Sequence, residues 1–297
     1  MKISGKTKLF GLFADPAEHS KSPIIYNKAF EVLGLDNAYL AFKVPKCELE
    51  GAIGAMRALG MGGANISMPH KERIVEYLDY VSEEATLCGA VNTVINNNGI
   101  LKGYNTDIYG ITKAIRQMGL GIEGVNAVIL GLGGAGKAIL TSLAINKANS
   151  VKVFVRGKNA LDKGEEEAYR AKESVAFAEK LKNEKGVNID VLDINDRDTL
   201  GKELLSAQLL INCTNIGMGE HEGESLISDS SFLHKDLKVM DIIYSPEKTR
   251  LLQQAEEAGC IYANGLDMLL FQAEEAFRLF ADKELPLDLI REEINKL

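Results

Sequence analysis

Four short clusters in the first half of this 297-residue sequence place polar side chains where packing alone does not require them. His19-Ser20-Lys21-Ser22-Pro23 brings two hydroxyls and backbone donors to an expected helix start, with Ser22 as N-cap and Pro23 in the first turn, which suits a carboxylate ligand. Asn65-Ile66-Ser67-Met68-Pro69-His70-Lys71 ends an expected strand and presents Lys71 in the first turn of a helix that Pro69 can initiate. A cation there opposes the helix dipole, so its presence points to acid/base work. Gly89-Ala90-Val91-Asn92-Thr93 and Gly103-Tyr104-Asn105-Thr106-Asp107 add two amides and a carboxylate at element ends. Asp107 also suits a plain helix N-cap.

The second half carries Gly131-Leu132-Gly133-Gly134-Ala135-Gly136 directly after the apolar run Asn126–Leu130 and before a helical pattern. In that setting glycines permit a tight turn and let a pyrophosphate approach backbone N–H groups at a helix N-terminus. An acid that would select NAD by its ribose 2′-hydroxyl is expected about 20 residues onward. Arg156 and Lys158 stand there instead, and two cations suit a 2′-phosphate. NADP is therefore the favoured cofactor, with NAD as the alternative.

The elements that must carry these groups alternate, short β-rich runs with helical patterns, as parallel β-α-β units do. Strands are expected at 8–13, 37–44, 63–68, 126–131, 151–155, 207–213, 238–244 and 260–263, and a hairpin at 91–104 turning on Asn97-Asn98-Gly99. Helices are expected at 22–34, with Ile25, Ala29, Val32 and Leu33 inward, at 49–59, 107–118, 247–257 and 268–280, and from the glycine loop to about 148. The Glu-, Lys- and Ala-rich segment 158–185 reads as a solvated helix. The glycine-rich run Gly119–Gly124 reads as a boundary between two domains.

Composition sets bounds. Apolar residues make up 46% of the chain and its net charge is −8, so a sizeable core is expected, and phosphate backbones would repel it. No apolar run has the length of a membrane span, and the half-polar N-terminus lacks the look of a signal segment, so a cytoplasmic location is expected. The four cysteines form no C-x-x-C pair and the four histidines no H-x-x-x-H pair. Reduced, mostly buried thiols and no metal site are expected.

Taken in order, these motifs resemble the shikimate dehydrogenase family over nearly the whole chain. The match continues through Asn212-Cys213-Thr214-Asn215-Ile216-Gly217-Met218, Asp241-Ile242-Ile243-Tyr244-Ser245-Pro246 with Thr249, and Gly265-Leu266-Asp267-Met268-Leu269-Leu270-Phe271-Gln272. Ser67-Met68-Pro69 and the run Leu251–Cys260 look like the quinate/shikimate dehydrogenase branch. Tyr26 stands where the family commonly has His, a departure that bears on packing more than chemistry.

The resemblance implies an α/β fold with an N-terminal substrate domain and a C-terminal Rossmann dinucleotide-binding domain. It places residues 1–106 and the returning helices 266–297 in the first, and 107–265 in the second. It implies reversible NAD(P)-dependent oxidation of shikimate, and of quinate as a second substrate, in the route to chorismate and the aromatic amino acids or in quinate metabolism. Lys71 and Asp107 would be the catalytic pair. Ser20 and Ser22, helped by Tyr244, would hold the substrate carboxylate, and Asn65, Ser67, Asn92, Asp107 and Gln272 the ring hydroxyls. Cofactor contacts would come from Gly131, Gly133, Gly134, Ala135, Gly136, Arg156, Lys158, Thr214, Gly265 and Met268. Family members are monomers or homodimers. Two other readings share the fold: a redox-silent dinucleotide-binding regulator, and a dehydrogenase of another small hydroxy acid. A regulator needs no acid/base pair.

Overall fold

The first β-rich run forms β1 (Lys8–Ala14), whose last five residues are all buried, as a strand covered on both faces requires. The computed structural model describes residues 3–160 and 166–296. Contacts divide the chain into two units, Met1–Gly110 with Leu270–Leu297, and Ile111–Leu269. One division falls within helix 106–117 and the other within helix 266–281.

In the first unit β1 is followed by α1 (Ser22–Val32) and β2 (Asn37–Lys43), which pairs parallel to β1. Two expectations for α1 need correction. Lys21, not Ser22, occupies the N-cap position, and no side chain caps there; the Ser20 hydroxyl accepts the Ser22 N–H instead (3.2 Å). Val32 and Leu33 are exposed, and Tyr26 and Phe30 complete the inward face with Ile25 and Ala29. Helix α2 (Leu49–Ala58) then leads to β3 (Gly63–Ile66), parallel to β1.

No α-helix follows Pro69. Residues 68–72 are turns, the Met68–Pro69 bond is cis, and only the short 3₁₀ helix Arg73–Tyr77 comes after. Lys71 thus precedes any helix, and the dipole argument for it falls away. Next come β4 (Tyr80–Val81) and α3 (Glu83–Cys88), capped by Ser82 Oγ and ended by Gly89 in the left-handed region. The hairpin is formed by β5 (Thr93–Asn97) and β6 (Ile100–Tyr104), and its tip Asn98-Gly99 has φ 52° and 91°, the positive pair that a tight two-residue turn demands. α4 (Thr106–Gln117) follows. The sheet order is β2-β1-β3-β5-β6-β4.

The second unit runs β7 (Asn126–Leu130), α5 (Gly134–Ile145), β8 (Ser150–Val155), α6 (Glu166–Lys185), β9 (Asn188–Asp193), α7 (Arg197–Ser206) and β10 (Leu209–Asn212). It ends with β11 (Lys238–Asp241), α8 (Arg250–Glu257), β12 (Ile261–Ala263) and α9 (Leu266–Ala281). All pairings are parallel, in the order β12-β11-β10-β7-β8-β9. This is the doubly wound arrangement in which strand order reverses beside β7, the place where such sheets take ligands. The chain is thus α/β throughout, with a Rossmann-like second unit.

β9 and α7 are absent from the sequence reading. Asn188, Asp190 and Asp193 break up the apolar run of β9, and Gly201 interrupts the pattern of α7. Gly201 is a packing glycine: a Cβ there would overlap the Phe232 ring. α6 is solvated on one side only, since Ala168, Ala171, Ser174, Ala178 and Leu181 form a buried stripe; residues 161–165 of the expected segment lie outside the described residues.

The chain returns to the first unit through the rest of α9 and α10 (Leu287–Ile294), also absent from the sequence reading. Phe277 and Phe280 join Phe10, Phe30, Tyr26 and Tyr39 in a buried aromatic cluster, with Phe10–Phe280 centroids 4.9 Å and Tyr26–Tyr39 centroids 4.5 Å apart. Of the cysteines, Cys88 and Cys260 are buried, Cys213 is half-buried and Cys47 exposed, all as free thiols.

Gly265 makes the turn into α9, its N–H donating to Ile243 O (3.0 Å), and a Cβ there would overlap the Ile242 carbonyl. Gly265→Ala is therefore expected to destabilise the protein by about 2 kcal/mol or more. Urea unfolding measures it, and an unshifted midpoint would show that the turn relaxes freely.

Candidate active site

In the first unit one hydrogen-bond chain joins side chains from four elements and two connecting segments. Tyr39 OH donates to Asn65 Oδ1 (2.7 Å) and Asn65 Nδ2 to Thr93 Oγ1 (3.1 Å). Thr93 Oγ1 donates to Asn92 Oδ1 (3.0 Å), and Asn92 Nδ2 to Asp107 Oδ1 (2.8 Å). Lys71 Nζ closes the chain on Asp107 Oδ2 at 2.6 Å. Every link from Tyr39 onward donates in the direction of the carboxylate. An ionised carboxylate can only accept, and both of its oxygens are met by donors.

The backbone explains why these groups converge. Asn65 lies near the end of β3, where it pairs with Thr93 across the antiparallel β3–β5 contact. Asn92 precedes β5, released by the Gly89 turn, and its Oδ1 also accepts the Thr106 N–H (2.8 Å) at the start of α4. Asp107 sits in the first turn of α4, and Asn105 Oδ1 accepts its N–H (3.1 Å), so the capping role falls to Asn105 and not to Asp107. The Lys71 turn is pinned by Ser67 N–H to Phe13 O (3.0 Å), Val91 N–H to Lys71 O (2.8 Å), and the buried His70 Nε2 to Val44 O (2.8 Å). The pair keeps some access: the Lys71 side chain is 23% exposed and that of Asp107 11%.

Of the other expected substrate contacts, Gln272 on α9 joins the cluster through Thr106 Oγ1, which donates to its Oε1 (3.4 Å). Ser22 lies by the Tyr39 phenol: burial raises the pKa of that phenol well above its usual value, and hydrogen bonds with Ser22 and Asn65 oppose the shift. Ser20 is half-buried, and Ser67, also half-buried, anchors its turn through the backbone. Tyr244 is an exposed residue of the second unit. Tyr39 and Thr106 were not singled out in the sequence, and Thr93 only as a neighbour of Asn92. For Thr93 and Thr106 the signal is a polar side chain at a buried strand or helix start, whereas Tyr39, inside β2, carries none.

In the second unit the glycine loop divides by what surrounds it. Gly131 has φ 87°, and a Cβ on it would come within 2.7 Å of Thr214 Cγ2; one on Gly136 would come within 2.8 Å of Gly131 O. At Gly133 and Gly134 nothing lies within 4 Å. The outer glycines are required by the protein's own packing, whereas the inner two leave room beside the α5 N-terminus, where no side chain caps the helix. Ala135 follows, half-buried, in the first turn. Such a cradle fits a pyrophosphate. At the end of β8, Arg156 is 69% exposed and pairs with Glu167 (3.2 Å), while Lys158 is half-buried in a short 3₁₀ helix. Met268 is buried on α9.

A second polar network holds the loops after β10 and β11. Asn212 Nδ2 donates to Asp241 Oδ1 (3.1 Å) and to Ile216 O (3.1 Å), while its Oδ1 accepts from Thr214 N–H (3.1 Å) and Thr214 Oγ1 (2.7 Å). Asp241 also accepts from Ile243 N–H (3.1 Å) and Thr249 Oγ1 (2.7 Å). Burial raises the pKa of the Asp241 carboxyl above its usual value, and its three donors oppose the shift. Burial, with the Asp241 charge, likewise pushes the Cys213 thiol up, so Cys213 stays a neutral packing group.

Known proteins resemble this chain over nearly its whole length. The family model described as the shikimate dehydrogenase substrate binding domain matches residues 12–94. A shikimate dehydrogenase (NADP+) of Alkaliphilus metalliredigens is 42% identical over 294 residues, covering 98% of this chain and 97% of that protein. A quinate/shikimate dehydrogenase of Escherichia coli is 40% identical over 292 residues, covering 98% of each. The crystal structure of shikimate 5-dehydrogenase from Listeria monocytogenes in complex with shikimate and NAD superposes with a TM-score of 0.92 at 39% identity, covering 99% of this chain and 98% of that one.

The raised Asp241 pKa makes stability depend on pH in one direction. A carboxyl whose folded pKa exceeds its unfolded value of about 4 favours the native state at low pH, and that benefit is lost as pH rises through the folded pKa. The melting temperature of Asp241→Asn minus that of wild type is therefore expected to increase with pH from about 4 upward and then level off. Calorimetric melting across pH 4–8 tests this; a pH-independent difference would mean the network fully offsets the burial.

Proposed function

Because the chain belongs to the shikimate dehydrogenase family, we propose that it catalyses the reversible NAD(P)-dependent oxidation of shikimate to 3-dehydroshikimate, with quinate, oxidised to 3-dehydroquinate, as a second substrate. The observation that carries the reading is the 2.6 Å contact between Lys71 and Asp107, held in a fully connected polar network. Oxidising a secondary alcohol removes a hydride from carbon and a proton from oxygen, so a group must receive the proton within hydrogen-bond reach. The Lys71–Asp107 pair is that receiver. In the reverse direction the Lys71 ammonium faces the ketone oxygen and stabilises the alkoxide that develops there.

In this reading the unit Met1–Gly110 with Leu270–Leu297 binds the substrate. Ser20 and Ser22 take the carboxylate, and Asn65, Ser67 and Gln272 take the ring hydroxyls. Both Asn92 N–H groups are committed to Thr106 and Asp107, so Asn92 acts by fixing the carboxylate in place. The unit Ile111–Leu269 takes the nucleotide, with the pyrophosphate at Gly133, Gly134 and Ala135 between the packing glycines Gly131 and Gly136. Thr214, Gly265 and Met268 line the adjoining loops. A bound nicotinamide supplies the hydride acceptor. Arg156 and Lys158 favour NADP through the 2′-phosphate, and NAD is the weaker partner. The Arg156–Glu167 pair is surface-exposed and worth about 1 kcal/mol or less, so it yields readily to a phosphate. A redox-silent regulator on this fold would have no use for the Lys71–Asp107 pair.

Absorbance at the nicotinamide band, with shikimate and quinate each set against NAD and NADP, tests the reading; no reduction in any of the four combinations would remove it. In the same grid Arg156→Ala is expected to raise KM for NADP about tenfold or more while changing that for NAD little, and equal effects would refute the 2′-phosphate contact. Lys71→Ala is expected to lower kcat by a factor of about 100 or more with KM for the acid within about tenfold, the pattern of a group that acts in the transition state. Unchanged turnover would take Lys71 out of the mechanism.

A further inference from the structure

At the carboxyl ends of β8 and β9 in the second unit, a buried acid is bonded to the loop that carries Arg156 and Lys158. Asp193 closes β9, in register with Val155 at the end of β8, and is 7% exposed. Its carboxylate binds backbone: Oδ2 accepts the Asn159 N–H (2.8 Å) and Oδ1 the Asn195 N–H (2.9 Å). The first bond crosses from β9 to the short 3₁₀ helix Lys158–Ala160 that follows β8. It supplies an acceptor to an N–H of the first turn, where such groups lack a partner within the helix. On the other side, Gly157 has φ 75°, and a Cβ on it would lie 2.7 Å from the Glu167 carbonyl carbon. The turn between Arg156 and Lys158 is thus held against α6 at Gly157 and against β9 through Asn159.

A carboxylate removed from water is costly unless hydrogen bonds replace its hydration, and an apolar residue would close β9 without that cost. Core packing therefore gives no reason for an acid at this position. Nor does Asp193 stand where the acid of an NAD-selecting sheet stands, at the end of the second strand, to take the ribose 2′-hydroxyl. It ends the third strand in the order β7-β8-β9, and both of its oxygens are already met by N–H groups. Its reach is to the backbone of the loop, one residue beyond Lys158.

We infer that Asp193 is a positioning residue for cofactor selection: from the neighbouring strand it holds the 156–160 turn in the shape that lets Arg156 and Lys158 meet a 2′-phosphate together. The inference rests on the 2′-phosphate reading given above and deepens it. Long cationic side chains lose conformational freedom when they converge on one anion, and a backbone fixed beneath them lowers that cost. A loop shaped in advance therefore favours the phosphorylated nucleotide and leaves NAD, which has no group for the two cations to share, nearly unaffected. The charge of the Asp193 carboxylate itself opposes a phosphate, so its benefit lies in shape and not in field.

KM and calorimetric dissociation constants for NADP and NAD test this, measured on wild type, Asp193→Ala, Asp193→Asn, the double variant Arg156→Ala/Lys158→Ala, and that double variant with Asp193→Ala added. Asp193→Ala is expected to raise both constants for NADP about tenfold, with those for NAD, KM for shikimate and kcat within about threefold of wild type. Asp193→Asn keeps the side-chain size and one acceptor oxygen. It is expected to raise the NADP constants about threefold, and it reads the contact should the alanine variant not fold. Without the two cations, Asp193→Ala is expected to add less than about twofold. Equal losses for NADP and NAD would make Asp193 a structural residue only, and a loss confined to NAD would make it a ribose-binding acid. Tighter NADP binding would make it a source of repulsion, and a full effect in the absence of the cations would place its action elsewhere. Each of these results overturns the inference. If the double variant lacking both cations prefers NADP as strongly as wild type, the 2′-phosphate reading falls and the inference with it. If that preference is lost there but kept in both Asp193 variants, the inference alone falls.

Discussion

The bond from the Asn92 amide to the Asp107 carboxylate is the constraint on which the first unit's site depends. Asn92 precedes β5 and Asp107 opens α4, so one side chain ties the entry to a central strand to the start of a helix. Its second N–H and its oxygen are used on Thr106 and Thr93, which leaves the amide no rotational freedom. Asp107 therefore meets Lys71 with one oxygen while the other is held from behind. A salt bridge between two mobile surface chains would contribute little, but one whose acid is fixed by buried donors is a preorganised group.

The second unit solves a similar problem with different residues. Asn212 ends β10 and Asp241 ends β11, and their contact joins the two loops that leave the carboxyl ends of those strands. Thr214, fixed by Asn212, in turn packs against Gly131. The glycine loop is thus shaped on one side by the protein's own hydrogen-bond network. In both units a buried asparagine beside a carboxylate sets the backbone, and exposed groups nearby are left for chemistry. Full hydrogen bonding makes such networks tolerable in a core, because a half-satisfied one would be costly.

Much of this was legible in the sequence because glycines and polar residues at element ends have few other uses. The alternation of strands and helices, the glycine loop and the Lys71 and Asp107 motifs all follow from local pattern. What escaped was non-local. Lys71 read as a helix-terminal cation, whereas its turn is fixed by contacts to Phe13, Val44 and Val91, none of which its own neighbours in sequence announce. Ser22 read as a cap because serine before proline usually is one, yet Ser20 takes the Ser22 N–H. Tyr39 lies in an ordinary strand pattern and gives no hint that it starts a polar chain. β9 and α7 were hidden by charge and by Gly201, whose reason is the Phe232 ring and not a helix stop.

The β5–β6 hairpin carries a consequence for how the chain can vary. Its tip is two residues long, with both φ angles positive, and that geometry fixes Thr93 opposite Tyr104. Adding or removing one residue at Asn98-Gly99 would slip the pairing and turn alternate side chains to the opposite face of the sheet. Thr93 would then point away from Asn65, and Asn92 could no longer meet both Thr106 and Asp107. An insertion at this tip, although it lies on the surface, would thus be felt at the Asp107 carboxylate. The hairpin is a surface loop by exposure but a core element by its intolerance of length change.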